Sequence, residues 1–467
     1  MNRPFTISFL FAAAALTGCV RTAPLERWER DDWRDSVNAR AELLSSLRAS
    51  ESRSEAADPF SPLDPNVVTG GLSRAEAVDV ALRNNPTLRL QTLAMREAGS
   101  QVTQAYAAAW PTLALGGEAS RTDPSDGNGN RYAATLNLTQ PLWRNGAVSA
   151  GIRYAAIYRE AAALERQRVR QKIECDASVL YDEVLLDQEL VKVYESACGV
   201  AERLLETTRR RRDRGTAADY EVLRAEVEVA GANADLIQQR NALRLARIAL
   251  CNALGVSQDS RFELTDPLAE ESAPADASAA VDLALRDRPD LRQAHAAVAM
   301  ARENLRAEKA RRSGFDIDLF GKGAYVDKDS DEASDWEDEW TVGLSASFLL
   351  CDGFQQAAKV TLAETRLEEA FEQLRLTEQT VLADVATATL ELEHAQEFYE
   401  SQKKNLDLAH ELLRTVEAGS RAGKNTQIEV LDARDAVTDA SGAYYRSLYL
   451  RRKALAALRF ATGAFGE

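Results

Sequence analysis

The feature that most constrains the fold of this chain is an internal duplication. Residues 77–89 (AVDVALRNNPTLR) and 280–292 (AVDLALRDRPDLR) are identical at nine of thirteen positions, and such self-similarity identifies structural repeats. The correspondence continues in order through three glycine pairs: Gly146 with Gly353, Gly215 with Gly423, and Gly255 with Gly463. We therefore expect one arrangement of elements to be built twice, as a first repeat over 71–255 and a second over 276–467, joined by a proline-containing linker over 256–275.

Each repeat contains a helix far longer than a globular domain needs. No proline occurs between Pro141 and Pro267, and residues 146–214 are predicted to form one helix of about 100 Å at 1.5 Å per residue. A length of this kind spans a cellular compartment. Further helices are predicted over 217–254 in the first repeat and over 354–419 and 425–462 in the second.

Strands are predicted between the helices because apolar residues alternate there with small or polar ones. The predicted strands cover about 111–121, 131–142, 315–325 and 340–350. Strands of about ten residues with one apolar and one polar face are typical of transmembrane β-structure, and a soluble hairpin on a core gives the same alternation. Trp110 and Trp143 fall at the same end of the first hairpin, where interfacial aromatic residues lie in membrane strands.

Four strands are too few to close a membrane barrel. The smallest such barrels need about eight strands, and open sheet edges are not tolerated in lipid. Several copies of the chain must therefore share one barrel, and three copies give twelve strands.

The N-terminus is a sorting signal. Arg3 precedes the apolar run 5–16, as in a secretory signal peptide over 1–18. The run ends in Leu-Thr-Gly-Cys and resembles the bacterial lipobox, whose cysteine, here Cys19, carries the lipid. Two or three acyl chains on Cys19 provide a stable anchor for an extended segment over 19–70. Because no later segment approaches about 20 uninterrupted apolar residues, any membrane span must be β.

Composition excludes several classes of function. The 57 Lys and Arg against 73 Asp and Glu give a net charge of −16, which disfavours nucleic-acid binding. With three histidines, no phosphate-binding glycine loop and no nucleophile elbow, the chain carries no enzyme signature. The cysteines after Cys19 show no zinc spacing. We expect no enzymatic activity, no metal and no cofactor apart from the lipid.

Eight acidic residues lie between Asp327 and Glu339. This stretch is predicted to be a hairpin loop in water that attracts divalent ions loosely. Its start matches the alternating acids of a calcium loop, but Glu332 stands where that loop needs glycine.

The duplicated order of helices and hairpins, Asn85-Pro86 at the start of the second helix, and the stretches Gly215–Ala225 and Gly423–Ala433 together resemble the TolC-like outer-membrane efflux channels. The resemblance covers nearly all of residues 70–465, and with the lipobox it is greatest for the lipoprotein branch that serves resistance-nodulation-division pumps. It implies a mainly α protein with membrane β-structure: a trimeric twelve-stranded β-barrel continued by a long periplasmic α-helical barrel that narrows at the helical tips.

The resemblance also implies site residues. Glu429 and Asp432 match the two acids that ring the periplasmic mouth, where a narrow ring of carboxylates attracts cations. Ser420 and Asn425 replace the Tyr and Arg that close the mouth in some relatives. The resemblance places tip geometry and adaptor contact on Gly215, Val222, Leu223, Gly423, Val430 and Leu431.

The function predicted from the sequence is a passive outer-membrane exit duct for small molecules. The expected partners are two further copies of the chain, a periplasmic adaptor protein, an inner-membrane pump and outer-membrane lipid. Two alternatives remain: a type I protein secretion channel with the same fold, and a lipid-anchored periplasmic coiled-coil tether, which the helical seam of the first long helix also fits.

Overall fold

The computed structural model of the protein describes residues 69–121, 130–271, 277–330, 333–422 and 424–465. The predicted signal peptide, Cys19, the extended segment through residue 68 and Gly423 lie outside these ranges.

The two repeats contain the same elements in the same order. The first contains β1 (Thr69–Leu72), α1 (Arg74–Asn84), α2 (Pro86–Ala107), β2 (Thr112–Arg121), β3 (Asn130–Trp143), α3 (Ala147–Asp213) and α4 (Asp219–Leu254). The second contains β4 (Arg261–Leu264), α5 (Ala277–Asp287), α6 (Pro289–Ser313), β5 (Asp316–Ser330), β6 (Ala333–Ser347), α7 (Gln355–Arg421) and α8 (Gln427–Thr462). The long helices α3 and α7 have 67 residues each, and α4 and α8 have 36 each.

The helix ends follow from local sequence. Ser73 caps α1 in a capping box with Glu76, which satisfies backbone N–H groups that have no partner inside the helix. Helices α4 and α8 end at Gly255 and Gly463, both in the left-handed conformation that glycine adopts readily. A Cβ atom on Gly255 would lie 2.8 Å from the carbonyl oxygen of Asn84, so this helix end also needs glycine for space.

The strands β2, β3, β5 and β6 form one antiparallel sheet in that order. The predicted bounds of the second hairpin are wrong. Pairing continues from Asp327 opposite Trp336 to Ser330 opposite Ala333, so most of the predicted acidic loop is paired strand, and β6 ends at Ser347, three residues before its predicted end. The physical reason is that ladder hydrogen bonds join backbone groups and tolerate charged side chains.

One face of the sheet carries exposed apolar side chains. Leu113 and Leu115 on β2, and Trp340, Val342 and Leu344 on β6, are all exposed and alternate along their strands. Among the described residues, no helix is long and apolar enough to cross a membrane.

The compact units of the chain do not follow the repeats. One unit contains residues 94–162 and 294–374, with the four-stranded sheet; the other contains 63–93, 163–293 and 375–467. Each unit is built from both repeats, so neither repeat is a domain by itself. The predicted linker also contains a strand, β4, which pairs in parallel with β1.

A buried ion pair lies in the second of these units. The Asp182 side chain, on α3, is 2% exposed and contacts Arg452 of α8 at 2.9 Å, with Arg74 of α1 at 4.0 Å. Burial raises the pKa of the Asp182 carboxyl to about 6, although both arginines lower it. Next to it, the Tyr181 hydroxyl donates to the Leu72 carbonyl at 2.9 Å, which fixes β1 to the long helix.

Candidate functional site

The connection between α3 and α4, here called the first tip, is closed by backbone hydrogen bonds around Gly215. Gly215 has φ +72°, its N–H donates to the Arg212 carbonyl at 2.8 Å, and the Thr216 N–H donates to the Arg211 carbonyl at 2.8 Å. This is the Schellman pattern, in which glycine takes the left-handed position after the helix. The structure therefore gives Gly215 the geometric role predicted for it.

The connection between α7 and α8, the second tip, contains one hydrogen bond of this pattern. The Lys424 N–H donates to the Gly419 carbonyl at 2.8 Å, which is the longer bond of that motif. The predicted tip residue Gly423 lies outside the described residues, so its own conformation is not described.

Glu429 stabilises the start of α8. Its N–H donates to the Thr426 hydroxyl at 3.3 Å, and its carboxylate accepts from the Thr426 N–H at 2.9 Å and from the Asn425 side-chain amide at 3.0 Å. These contacts form a capping box. The sequence signal for it, Thr three residues before Glu, was available and was not used in the sequence analysis.

Asn425 therefore has a partner within its own tip. A Cβ atom on Gly419 would lie 1.8 Å from the Asn425 side-chain oxygen, so Gly419 leaves the space that Asn425 occupies. Ser420, the other residue that departs from the family pattern, is half-buried.

Asp432 lies one turn after Glu429 on α8, and both side chains are exposed. Residues three apart share a helix face, so the two predicted mouth acids are neighbours. One turn further, the pKa of Asp435 is raised, first by burial and then by the negative charges of Glu228, Asp439 and Asp432.

The predicted adaptor contacts separate into two groups. Val222 is 6% exposed and belongs to the packing between helices, whereas Leu223 is 62% exposed; Val430 and Leu431 are half-buried. Of the two roles predicted for this set, tip geometry and adaptor contact, buried Val222 therefore fits tip geometry, and exposed Leu223 fits a contact. Tyr220 and Val227, which the sequence analysis missed, are exposed with Leu223 at spacings of three and four, which puts all three on one helix face.

Each tip is also held by an ion pair between its two helices. Arg209 on α3 contacts Glu226 on α4 at 2.6 Å, and Glu417 on α7 contacts Arg434 on α8 at 2.9 Å. Two further arginines of the first tip pair locally, Arg210 with Glu206 and Arg212 with Asp213.

The two predicted interfacial tryptophans lie at one end of the first strand hairpin. Trp110 precedes β2 and Trp143 ends β3, and both are exposed. Within the described ranges, no group of His, Cys, Asp and Glu side chains is placed to hold a metal ion, and Cys175, Cys198, Cys251 and Cys351 are free thiols.

Comparison with known proteins decides the family. The family model described as "Outer membrane efflux protein" matches residues 77–256 and 280–464, which are the two repeats. The chain belongs to the outer membrane efflux protein family. The predicted resemblance to TolC-like channels and the predicted outer-membrane efflux function are thereby confirmed.

Relatives of this efflux protein match along most of their length. It is 24% identical to the outer membrane protein TolC of Vibrio cholerae over 405 residues, 84% of this chain and 91% of that protein. Its fold is similar to that of the outer membrane protein VceC of Vibrio cholerae, at 21% identity and a TM-score of 0.72, covering 84% and 96% of the two chains. CusC, described as forming a transmembrane channel, gives 19% identity and a TM-score of 0.72, covering 84% and 92%.

Proposed function

We propose that three copies of this chain form a passive efflux duct whose strands close a twelve-stranded barrel across the outer membrane. The observation that carries the proposal is that both edge strands of the four-stranded sheet are unpaired on one side in the described part of the chain. Within the described residues, β2 and β6 each have a strand neighbour on one side only, and they also present the exposed apolar face. Unpaired strand edges are not tolerated in lipid, so β6 of one copy needs β2 of the next.

The test is the mass of the detergent-extracted mature protein by native mass spectrometry, followed by conductance in planar bilayers. A trimer that conducts supports the shared barrel. A stable monomer or dimer would reject it and favour the lipid-anchored tether, which needs no strands in the membrane.

The proposed periplasmic partner is an adaptor protein that docks on the tips and connects the duct to an inner-membrane pump of the resistance-nodulation-division type. The exposed face of Tyr220, Leu223 and Val227 supports a protein contact at the first tip, because exposed apolar patches mark interaction sites. A photo-crosslinking residue at Leu223 is expected to capture the adaptor, while the same residue at buried Val222 serves as the matched control. Capture of neither would reject this docking face.

The proposed cargo is a class of small toxic molecules. Expression in a strain that lacks its own outer-membrane duct, together with the adaptor and pump, is expected to restore resistance to small toxic compounds. Secretion of an unfolded protein substrate with an ABC transporter instead would identify the type I secretion alternative.

The proposed anchor is a lipid on Cys19. Its support is the lipobox-like Leu-Thr-Gly-Cys run in the sequence. Mass spectrometry of the N-terminal peptide is expected to show acyl chains on Cys19 in the wild type and none in Cys19→Ala. An unmodified wild-type peptide would overturn the anchor and leave the barrel proposal untouched.

A further inference from the structure

Helix α8 of the second repeat packs against α3 of the first repeat. A Cβ atom on Gly442 of α8 would lie 3.8 Å from the Leu190 side chain of α3. Farther from the tips, the Arg452 guanidinium of α8 contacts the Asp182 carboxylate of α3 at 2.9 Å. Residue numbers rise along α8 as they fall along α3, so the two helices are antiparallel. This contact joins the two repeats within one chain.

The ion pair in this contact is buried and is not optimised for stability. The Asp182 and Arg452 side chains are 2% and 7% exposed. Among the described residues, Oδ1 of Asp182 and Nε of Arg452 make no hydrogen bond of good geometry. Apolar side chains in place of a buried ion pair are often neutral or stabilising. The best-attested role of such a pair is to exclude other packings, because a wrong neighbour leaves a charge buried and unpaired.

The duplication supplies one such wrong neighbour. Helix α3 aligns with α7 without a gap, from 147 with 355 onward, and α4 aligns with α8 from 219 with 427 onward. Asp182 of α3 therefore corresponds to Leu390 of α7, and Arg452 of α8 corresponds to Arg244 of α4. The surface of α8 that fits α3 meets an equivalent surface on α7 of another copy, but Leu390 offers no carboxylate there.

Positions that are buried where α3 meets α8 are exposed at the equivalent sites of α7 and α4. Leu190 is 3% exposed, whereas its equivalent Phe398 is 36% exposed and Leu390 is 65% exposed. Buried Gly442 corresponds to exposed Ala234 of α4. In the proposed trimer these faces are covered when α4 of one copy packs on α7 of the next, which repeats the α3–α8 contact between chains.

We propose that the Asp182–Arg452 pair, together with Leu390, makes α8 pack on α3 of its own chain and not on α7 of a second copy. The inference rests on the proposed function, in which three copies stand side by side. On α7 of another copy, Arg452 would be buried opposite Leu390 without a carboxylate. Asp182 alone does not discriminate, because Arg244 of α4 carries the same charge as Arg452. The pair thereby prevents second repeats from associating head to tail with one another.

The test uses differently tagged copies that carry one reporter cysteine each. The four described thiols are first replaced by serine: Cys175, Cys198, Cys251 and Cys351. Copies with Phe398→Cys are co-expressed with copies that carry either Ala234→Cys or Gly442→Cys, and a short bifunctional reagent joins the thiols. The first combination reports α4 on α7, the expected contact between copies, and the second reports α8 on α7. With no other change, we expect the α4–α7 product to exceed the α8–α7 product at least about tenfold.

Moving the carboxylate from α3 to α7 is the decisive change. Leu390→Asp with Asp182→Leu gives α7 the partner that α3 loses, so the α8–α7 product is expected to become the larger one. Leu390→Asp alone offers a carboxylate on both helices and should yield both products. Leu390→Asn is the matched control, because it is similar in size to aspartate but uncharged, and it should keep the original ratio. An unchanged ratio in both aspartate variants would overturn the proposal, as would equal products without them.

Native mass spectrometry of the same preparations separates this inference from the proposed function. A trimer whose product ratio does not respond to the aspartate variants rejects the inference alone. A monomer that yields neither product rejects the proposed function, and the inference with it. If the double variant does not fold, Leu390→Asp decides, because it retains the Asp182–Arg452 pair.

Discussion

The Arg209 guanidinium donates to the Glu226 carboxylate at 2.6 Å and joins the two helices of the first tip. At the equivalent positions of the second tip the charges are exchanged, because Glu417 accepts from Arg434 at 2.9 Å. Both pairs are separated by 17 residues in the sequence. The duplication has thus kept the contact and reversed its direction, which gives each tip its own charge pattern.

Reversing the first pair tests whether the contact or its direction matters. Arg209→Glu places two carboxylates together and is expected to lower the free energy of unfolding by up to about 1 kcal/mol, since exposed pairs contribute little. The double variant Arg209→Glu, Glu226→Arg copies the second tip and should restore stability in thermal unfolding. Failure of the double variant to recover would show that the direction of the pair is fixed by neighbouring charges.

The two predicted mouth acids can be separated by their contacts. Glu429→Gln keeps a side chain that can complete the capping box and removes its charge. Asp432→Asn removes an exposed charge without touching the cap. Each is expected to weaken cation selectivity, measured as the reversal potential of single channels under a salt gradient. Unchanged selectivity in the double variant would remove both residues from the mouth.

The cap itself is tested by Thr426→Ala, which removes the hydroxyl that accepts from the Glu429 N–H. Loss of such a cap costs about 1 kcal/mol. Hydrogen exchange of the first turn of α8 is expected to accelerate, while the first turn of α4 serves as an internal reference. Equal exchange in variant and wild type would contradict the stabilising role of the capping box.

Asp182 is expected to make stability depend on pH. Its pKa is about 6 in the folded protein and 3.8 is the ordinary value, so the folded state binds the extra proton between these values. The free energy of unfolding therefore falls as pH rises from about 4 to 6, by at most about 3 kcal/mol from this group.

Thermal unfolding across this pH range checks the effect. Asp182→Asn should abolish that part of the slope, and should destabilise the fold above about pH 6, where Arg452 loses its buried charged partner. Asp176→Asn, on the exposed surface of the same helix, is the control and should keep the slope. If the free energy of unfolding of Asp182→Asn depended on pH as in the wild type, the pH dependence could not come from Asp182.

Two glycines with the same backbone conformation should respond differently to substitution. Gly215 and Gly255 have φ +72° and +65°, but a Cβ atom meets nothing within 4 Å at Gly215 and lies 2.8 Å from a backbone oxygen at Gly255. Gly215→Ala is expected to cost about 1–2 kcal/mol from backbone strain alone. Gly255→Ala adds a steric clash and should cost more in denaturant unfolding; equal costs would refute the clash.

The sequence predicted features that depend on periodic or local signals. The absence of proline and the glycines at the tips indicate helices and their ends, and alternation indicates the strands. The inward side of α4 was harder to predict, because neighbouring Val222 and Leu223 are both apolar and only their burial in the folded chain distinguishes them. The extension of β5 and β6 was missed because strand pairing is made by backbone groups, which the acidic composition does not reveal. The exchanged ion pairs were readable from the alignment of the repeats, although partners 17 residues apart become neighbours only once the hairpin is folded.

Equivalent helices of the two repeats have equal lengths, and this limits how the length of the protein can vary. Helices α3 and α7 have 67 residues each, and α4 and α8 have 36 each. A heptad inserted into α3 alone would lengthen that helix by about 10 Å and shift it against the unchanged α4. A tolerated change in helix length must therefore occur in both helices of a hairpin. It must also occur in both hairpins if the two tips are to stay at the same level. Natural length variants of this protein should show insertions or deletions in coordinated sets of four.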